Sequence, residues 1–393
     1  MNVPAGPRNA NPHRPFFHYL SNVIKRIIFG IVMASSWFFI IYLGPFMLIL
    51  TVLAIQVSCF REILNVGYNC NRVPPSLPFF RSLCCYFLVA ANYFLSIETI
   101  APHFDDIYKN YPHLEIVIKY NRFISFCIYF IGIVLFVVNL VRKHDLQQFK
   151  ILAWTHTLLI IIVLQSYLVI ANMFNGIIWL ILPSSLVIVN DIFAYMFGRL
   201  WGRTALIQLS PRKTWEGFVG GIVGTFLLGY LLSNYMCQYQ YLVCPVEYYQ
   251  TGGGIKMMSE CTLGYLFTPT TYSLGVVSIN FYPFTYHFFW MALFASVVAP
   301  FGGFCASGFK RAFKMKHFAE VIPGHGGITD RFDCQFLMAT FVNVYIFTFV
   351  GNPSVGVIFD KVLGLDEGRQ VEFYYLLKDM LQDSYLLNST DVS

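Results

Sequence analysis

Long runs almost free of charge alternate along this chain with short, densely polar segments. Nine apolar runs stand out: Ile27–Gly44, Pro45–Cys59, Leu83–Leu95, Phe123–Val141, Leu152–Met173, Ile177–Phe197, Phe218–Tyr235, Phe288–Ala306 and Phe336–Gly351. A helix needs about 20 mostly apolar residues to cross the hydrocarbon of a bilayer, where each backbone polar group must find its partner inside the protein. The pattern therefore predicts an all-α, polytopic integral membrane protein with about nine transmembrane helices. The second, third and ninth runs are short, so re-entrant or tilted segments are expected for one or two of them.

Composition sharpens that picture. Of 393 residues, 57% are hydrophobic and 12% charged, against a usual charged share of about a quarter. Such a chain has too few polar groups to cover a soluble surface. Residues 1–26 are rich in Pro, Asn and Arg and read as a disordered cytosolic lead without a cleavable signal peptide. Residues 27–351 then form the transmembrane domain. In the tail, 352–393, Val371–Leu387 has helix-like spacing suited to lying on a membrane or packing on a neighbour.

Lys and Arg favour the cytosolic ends of spans. With the N-terminus in the cytosol and nine crossings, the cytosolic segments are 1–26, 60–82, 142–150, 199–216 and 307–335. The loop 237–287, whose one basic residue is Lys256, falls on the luminal side. It carries Cys237, Cys244 and Cys261. A disulfide such as Cys244–Cys261 and free or lipid-buried thiols are both open readings there.

The densest charge lies in Ser307 to Gln335, SGFKRAFKMKHFAEVIPGHGGITDRFDCQ. Lys310, Arg311, Lys314, Lys316 and Arg331 face Glu320, Asp330 and Asp333 around the turn Pro323–Gly327. A glycine-rich turn can aim several N–H groups at phosphate oxygens, and arginine grips an oxyanion in two-point fashion. Two carboxylates three residues apart can share a divalent ion. The plainer alternatives are that the acids stabilise a helix start and that Lys314 grips lipid headgroups.

A second polar cluster runs from Val189 to Gly221. Asp191 lies in an apolar run, where a carboxylate needs a partner or an aqueous cavity. Asp191, Tyr195 and Gly198 share a helix face, and Arg199, Arg203, Arg212 and Lys213 follow. Glu216, Gly217, Gly220, Gly221 and Gly224 then open the next run with a small-residue face. Composition alone reads these equally well as flanking cations and helix packing.

Both stretches resemble the CDP-diacylglycerol synthase (phosphatidate cytidylyltransferase) family, in its eukaryotic branch. The first matches at Ser307, Lys310, Arg311, Lys316, Pro323 to Gly327, Asp330, Arg331 and Asp333; the second at Asn190, Asp191, Ala194, Tyr195, Gly198, Arg199 and Ser210 to Gly217. His317 stands where the family has aspartate, and Arg212 where it has lysine. The resemblance covers nearly the whole chain. It implies transfer of the cytidylyl group of CTP to phosphatidate, giving CDP-diacylglycerol and pyrophosphate for phospholipid synthesis. It further implies an endoplasmic reticulum membrane and a site facing the cytosol.

Carried onto this chain, the resemblance implies Lys310, Arg311, Asp330, Asp333 and His325 as catalytic. Ser307, Lys316, Arg331, Gly324, Gly326, Gly327, Lys213 and Tyr195 would bind substrate. Mg²⁺, with or without a second cation, is expected on Asp330 first, with Asp191 and Asp333 as further ligands. The expected partners are CTP, phosphatidate, membrane lipid and a second copy in a homodimer, with no nucleic acid. The rival readings are a CTP-dependent kinase of polyprenol or phytol type and a non-enzymatic transporter or scramblase. A third, motivated by His317, is a catalytically silent regulator.

Overall fold

The computed structural model describes residues 16–71, 78–104, 111–207, 210, 213–251, 254–257, 261, 263–274, 277–319, 321, 326–351 and 362–383. By its internal contacts the chain divides into Met1–Asn343 and Val344–Ser393.

Helix α1 (Phe16–Leu43) and helix α2 (Pro45–Cys70) are separated by Gly44 alone. Gly44 takes a φ of 101°, a left-handed value that suits a residue without a Cβ. Pro45 follows at the first helical position, where its missing N–H has no intrahelical role. Next come α3 (Phe79–Phe104), a short α4 (Pro112–Lys119), α5 (Asn121–Val138), α6 (Asp145–Phe174), α7 (Ile178–Leu200) and α8 (Trp215–Met236). Helices α9 (Phe284–Ala312) and α10 (Thr329–Val350) complete the set.

Among the described residues, α2, α3 and α5 to α10 are each long and apolar enough to cross a membrane, and α1 adds the apolar stretch Ile28–Leu43. Each predicted run therefore falls in its own helix. The runs that read as short belong to continuous helices: α2 and α3 have 26 residues each and α10 has 22. Their apolar letters stop at a charged or small residue, while their helical hydrogen bonding continues past it.

Three helices widen for one turn. The N–H groups of Leu164, Ala299 and Gly351 bond to carbonyls five residues back, at Leu159, Phe294 and Ile346. These are π turns, each holding one residue more than an α turn. In α9 the widening immediately precedes Pro300, which has no N–H to donate and whose ring would crowd the preceding turn.

The small-residue face of α8 packs on α7 as expected. A Cβ placed on Gly224 would lie 2.2 Å from Cγ of Phe193, and one on Gly221 would lie 2.6 Å from Oδ1 of Asn190. Only residues without side chains allow this approach. The core behind the site joins α2, α3 and α6 through the buried side chains of Phe60, Leu88, Ile151 and Ile162.

The 237–287 insertion contains two antiparallel hairpins, β1 (Tyr248–Thr251) with β2 (Gly254–Met257) and β3 (Thr270–Leu274) with β4 (Val277–Phe281). No strand was expected there. Of the two readings of its cysteines, the structure holds the disulfide, Cys244–Cys261. Cys237 is free and buried, and desolvation pushes its thiol up to about 12. In the tail, α11 (Glu367–Asp383) carries exposed Val371, Tyr374, Leu376 and Met380.

Candidate functional site

The first half of the site forms where α9 ends and α10 begins. Helix α9 closes at Lys314, which takes a left-handed φ of 55°, while the N–H of Met315 bonds back to the Lys310 carbonyl at 2.9 Å. The last turn of α9 is held by aromatic packing. Trp154 of α6 lies 5.9 Å from the rings of both Phe309 and Phe313 and donates its indole N–H to the Ile63 carbonyl at 3.2 Å. That packing sets the position of Lys310, whose ammonium lies 5.4 Å from the Phe318 ring centre.

Helix α10 starts with backbone N–H groups that have no intrahelical partner. Two of them are taken by Glu62, a buried residue of α2: Ile328 N donates to Oε1 at 2.8 Å and Thr329 N to Oε2 at 2.9 Å. Asp330 is saturated in the same way. Its Oδ1 accepts from Lys310 Nζ at 2.5 Å, and its Oδ2 accepts from Gly327 N at 3.1 Å and Phe318 N at 3.3 Å. The Asp330 side chain is 4% exposed and that of Lys310 14%. Such burial is tolerated because each charge meets an opposite charge or several donors.

The glycines of the turn serve this arrangement. Gly326 has a φ of 88°, and a Cβ there would lie 2.9 Å from Nδ1 of His317 and 3.1 Å from Oδ2 of Asp330. A Cβ on Gly327 would lie 2.8 Å from Oε2 of Glu62. The N–H groups of Gly327, Ile328 and Thr329 are donated to the protein's own carboxylates. His317 sits beside this closed cluster, with Nδ1 3.7 Å from Oδ2 of Asp330.

The second half lies one helical turn further along α10. A methyl on Gly303 of α9 would be 3.5 Å from both Oδ2 of Asp333 and Nζ of Lys213, so carboxylate and ammonium flank one point. Lys213 Nζ also stands 4.3 Å from the Phe304 ring centre. Asp191 of α7 interacts electrostatically with Lys213, Asp333 and Arg331. Asp191 is exposed at the surface of the described residues. Among the described residues, Asp191 accepts no hydrogen bond, and Asp333 accepts one, from Cys334 N at 2.8 Å.

The predicted residues thus fall into two groups. Lys310 and Asp330 meet in the closed half, while Lys213, Asp191, Asp333 and Arg331 meet in the open half. Ser307 is half-buried one turn before Lys310, and Arg311 and Lys316 are exposed nearby. Tyr195 is 67% exposed, and its hydroxyl accepts from Arg199 Nη1 at 3.0 Å; no described contact carries it into either half. Gly324 and His325 lie outside the described residues. Glu62 and Trp154 were not read from the sequence. The available signal for Glu62 was a single acid inside an otherwise apolar helix.

Among the described residues, no three His, Cys, Asp or Glu side chains converge as a metal cage. Mg²⁺ does not require one, since it binds one or two protein carboxylates together with substrate phosphates. Asp191 and Asp333 have the unused oxygens for that task. Asp330, the first candidate by sequence, has both oxygens engaged by protein donors.

Comparison with known proteins adds a further observation. The model of the cytidylyltransferase family matches residues 24–349. Over 373 residues the chain is 48% identical to phosphatidate cytidylyltransferase 1 of Homo sapiens, covering 93% of this chain and 80% of the relative. It is 47% identical to phosphatidate cytidylyltransferase 2 of Homo sapiens, covering 93% and 83%. A phosphatidate cytidylyltransferase of Caenorhabditis elegans is 41% identical over 378 residues, covering 93% and 80%.

Proposed function

The chain belongs to the cytidylyltransferase family, and from that premise we propose that it transfers the cytidylyl group of CTP to phosphatidate. The products are CDP-diacylglycerol and pyrophosphate. The observation that carries this reading is the meeting of both charged stretches, with Asp191 and Lys213 from one and Arg331 and Asp333 from the other.

The reaction asks little of a base. A phosphate monoester has a second pKa of about 6, so the lipid phosphate is mostly dianionic near neutrality. One of its oxygens attacks the α-phosphorus of CTP, the bond to the bridging α–β oxygen breaks, and pyrophosphate leaves. The protein must neutralise two polyanions and hold them in line. Lys213, Arg331 and exposed Arg311 supply positive charge around that meeting, and Lys310 is held in place by Asp330. Asp191 and Asp333 would hold a Mg²⁺, which when bound offsets charge on the phosphate oxygens.

We place the site on the cytosolic face of the endoplasmic reticulum membrane. The basic residues of 199–216 and 307–335 favour that orientation. In sequence the Cys244–Cys261 disulfide precedes α9 and the signature follows from its far end; the 29 residues of α9 rise about 43 Å at 1.5 Å per residue, enough to cross the bilayer. Disulfides persist in oxidising compartments such as the lumen. A homodimer is part of the same proposal, readable from the mass of the detergent-solubilised protein.

The test is an assay in purified membranes with radiolabelled CTP, phosphatidate and Mg²⁺. Labelled CDP-diacylglycerol together with pyrophosphate supports the transfer. Phosphorylated lipid with CDP would make the chain a kinase instead. Product from His317→Asp alone would make the natural chain a silent regulator. Silence from both folded proteins would overturn the enzyme reading in favour of a transporter.

A further inference from the structure

Gln56 of α2 is 1% exposed, and among the described residues its amide Nε2 has no hydrogen-bond partner. It stands inside the apolar run of α2, where a donor without an acceptor is costly. Gln56 lines a cavity between α2, α3 and α6 with a volume of about 10 Å³. That is the room of a single water-sized sphere.

Three further polar side chains of the cavity wall have already spent a donor on their own helix. Asn92 Nδ2 donates to the Leu88 carbonyl at 2.9 Å, Thr99 Oγ1 to the Leu95 carbonyl at 2.9 Å, and Ser166 Oγ to the Ile162 carbonyl at 3.0 Å. What the two hydroxyls and the Asn92 carbonyl oxygen still offer is acceptor lone pairs. One helix thus brings a donor and two others bring acceptors. Ile162 belongs to the π turn of α6, and Val163, the last residue of that turn, lines the cavity. Such turns occur frequently at functional sites.

We propose that this cavity is a binding site for one water molecule, which bridges α2, α3 and α6 inside the membrane. The water accepts from Gln56 Nε2 and donates to two of the acceptors, the roughly three bonds usual for a buried water. A cation suits the wall poorly: no carboxylate lines it, and charge at that depth calls for one. An apolar occupant would leave Gln56 unpartnered. Among the described residues, the direct hydrogen bonds from α2 to α3 and α6 are those of Ile63, Asn65 and Tyr68. At the level of Gln56 none crosses, and the water supplies the missing tie. Helices α2 and α6 carry Glu62 and Trp154, so the bridge steadies the two helices on which the closed half of the site rests. The inference stands apart from the transferase reading, and no part of its test needs turnover.

The first test is X-ray radiolytic labelling of the full chain in lipid nanodiscs, in which bound water is activated and oxidises the side chains beside it. Tyr167, which lines the cavity, is expected to take up label in the wild type. In Gln56→Leu that label should fall about fivefold, the effect of one lost hydrogen bond on occupancy. Tyr111, 52% exposed in a loop, should label equally in both and serves as the control. No label at Tyr167 in the wild type, or equal label in the variant, overturns the proposal.

The second test is a crystal structure of the wild type at a resolution that shows ordered water. One peak is expected about 2.7–3.2 Å from Gln56 Nε2 and from two of the acceptor oxygens. A cavity without a peak overturns the proposal. So does anomalous density there after soaking with Rb⁺, which would assign the site to a monovalent cation. If Gln56→Leu fails to fold, the wild-type label and this map still decide.

Discussion

Asp330 and Asp333 are three residues apart on one helix, and their surroundings are opposite. Asp330 is 4% exposed and accepts from Lys310 and from two backbone N–H groups. Asp333 receives a local hydrogen bond from Cys334 N and lies among charged groups, with Lys213 and the carboxylate of Asp191 close by. A carboxylate whose two oxygens are both engaged by protein donors is tied into the frame. One with lone pairs to spare can take a cation or orient a substrate. We therefore propose that the closed half holds the shape in which the open half does chemistry, a division that density of charge alone does not reveal.

The largest test of this division is Asp330→Ala. It leaves Lys310 buried without its partner and strands the Gly327 and Phe318 N–H groups, so a loss of about 3–5 kcal/mol is expected. Thermal unfolding in detergent measures it, and an unchanged midpoint would move Asp330 into the open half. Asp333→Asn should do the reverse. Turnover is expected to fall about 100-fold, equivalent to about 2.7 kcal/mol of barrier, with an unchanged melting midpoint and a higher Mg²⁺ requirement. A matching loss of stability would make Asp333 part of the frame.

A smaller effect is expected from Glu62→Gln, which keeps the shape and one acceptor oxygen. About 1–2 kcal/mol should be lost, and hydrogen exchange should quicken at the Ile328 and Thr329 amides. Protection that stays unchanged at those amides would remove Glu62 from the frame. The smallest is Lys314→Gly. A lysine at a φ of 55° is strained, and glycine there should add up to about 1 kcal/mol of stability with turnover unchanged.

The membrane architecture was legible because the bilayer imposes a local rule, and each of the nine apolar runs marks a helix even where the run itself is short. Span ends were less legible. In α2 the apolar run stops before Arg61 and Glu62, yet the helix continues to Cys70 because Glu62 is buried against the start of α10. Apart from Glu62, the acids and cations of the site were named from the sequence, but their division was not. It depends on Glu62 reaching an amide 267 positions away and on Trp154 packing against α9. The glycines were read as a phosphate cradle; Gly326 and Gly327 also leave room for the carboxylates of Asp330 and Glu62 to approach. The disulfide stayed one of two readings because pairing depends on distance and direction between Cβ atoms, which spacing does not encode.

The π turns in α6, α9 and α10 have a consequence for changes in chain length. Each stores one surplus residue inside its helix. Deleting a residue from Phe294–Val298 would return that turn to plain α geometry and leave both flanking faces in phase. Deleting a residue later in α9 would rotate everything upstream of the cut by about 100° relative to Lys310. Either the Gly302–Gly303 face would leave α10, or Lys310 would leave Asp330. Single-residue deletions should therefore be tolerated at these three turns and rejected a few positions to either side.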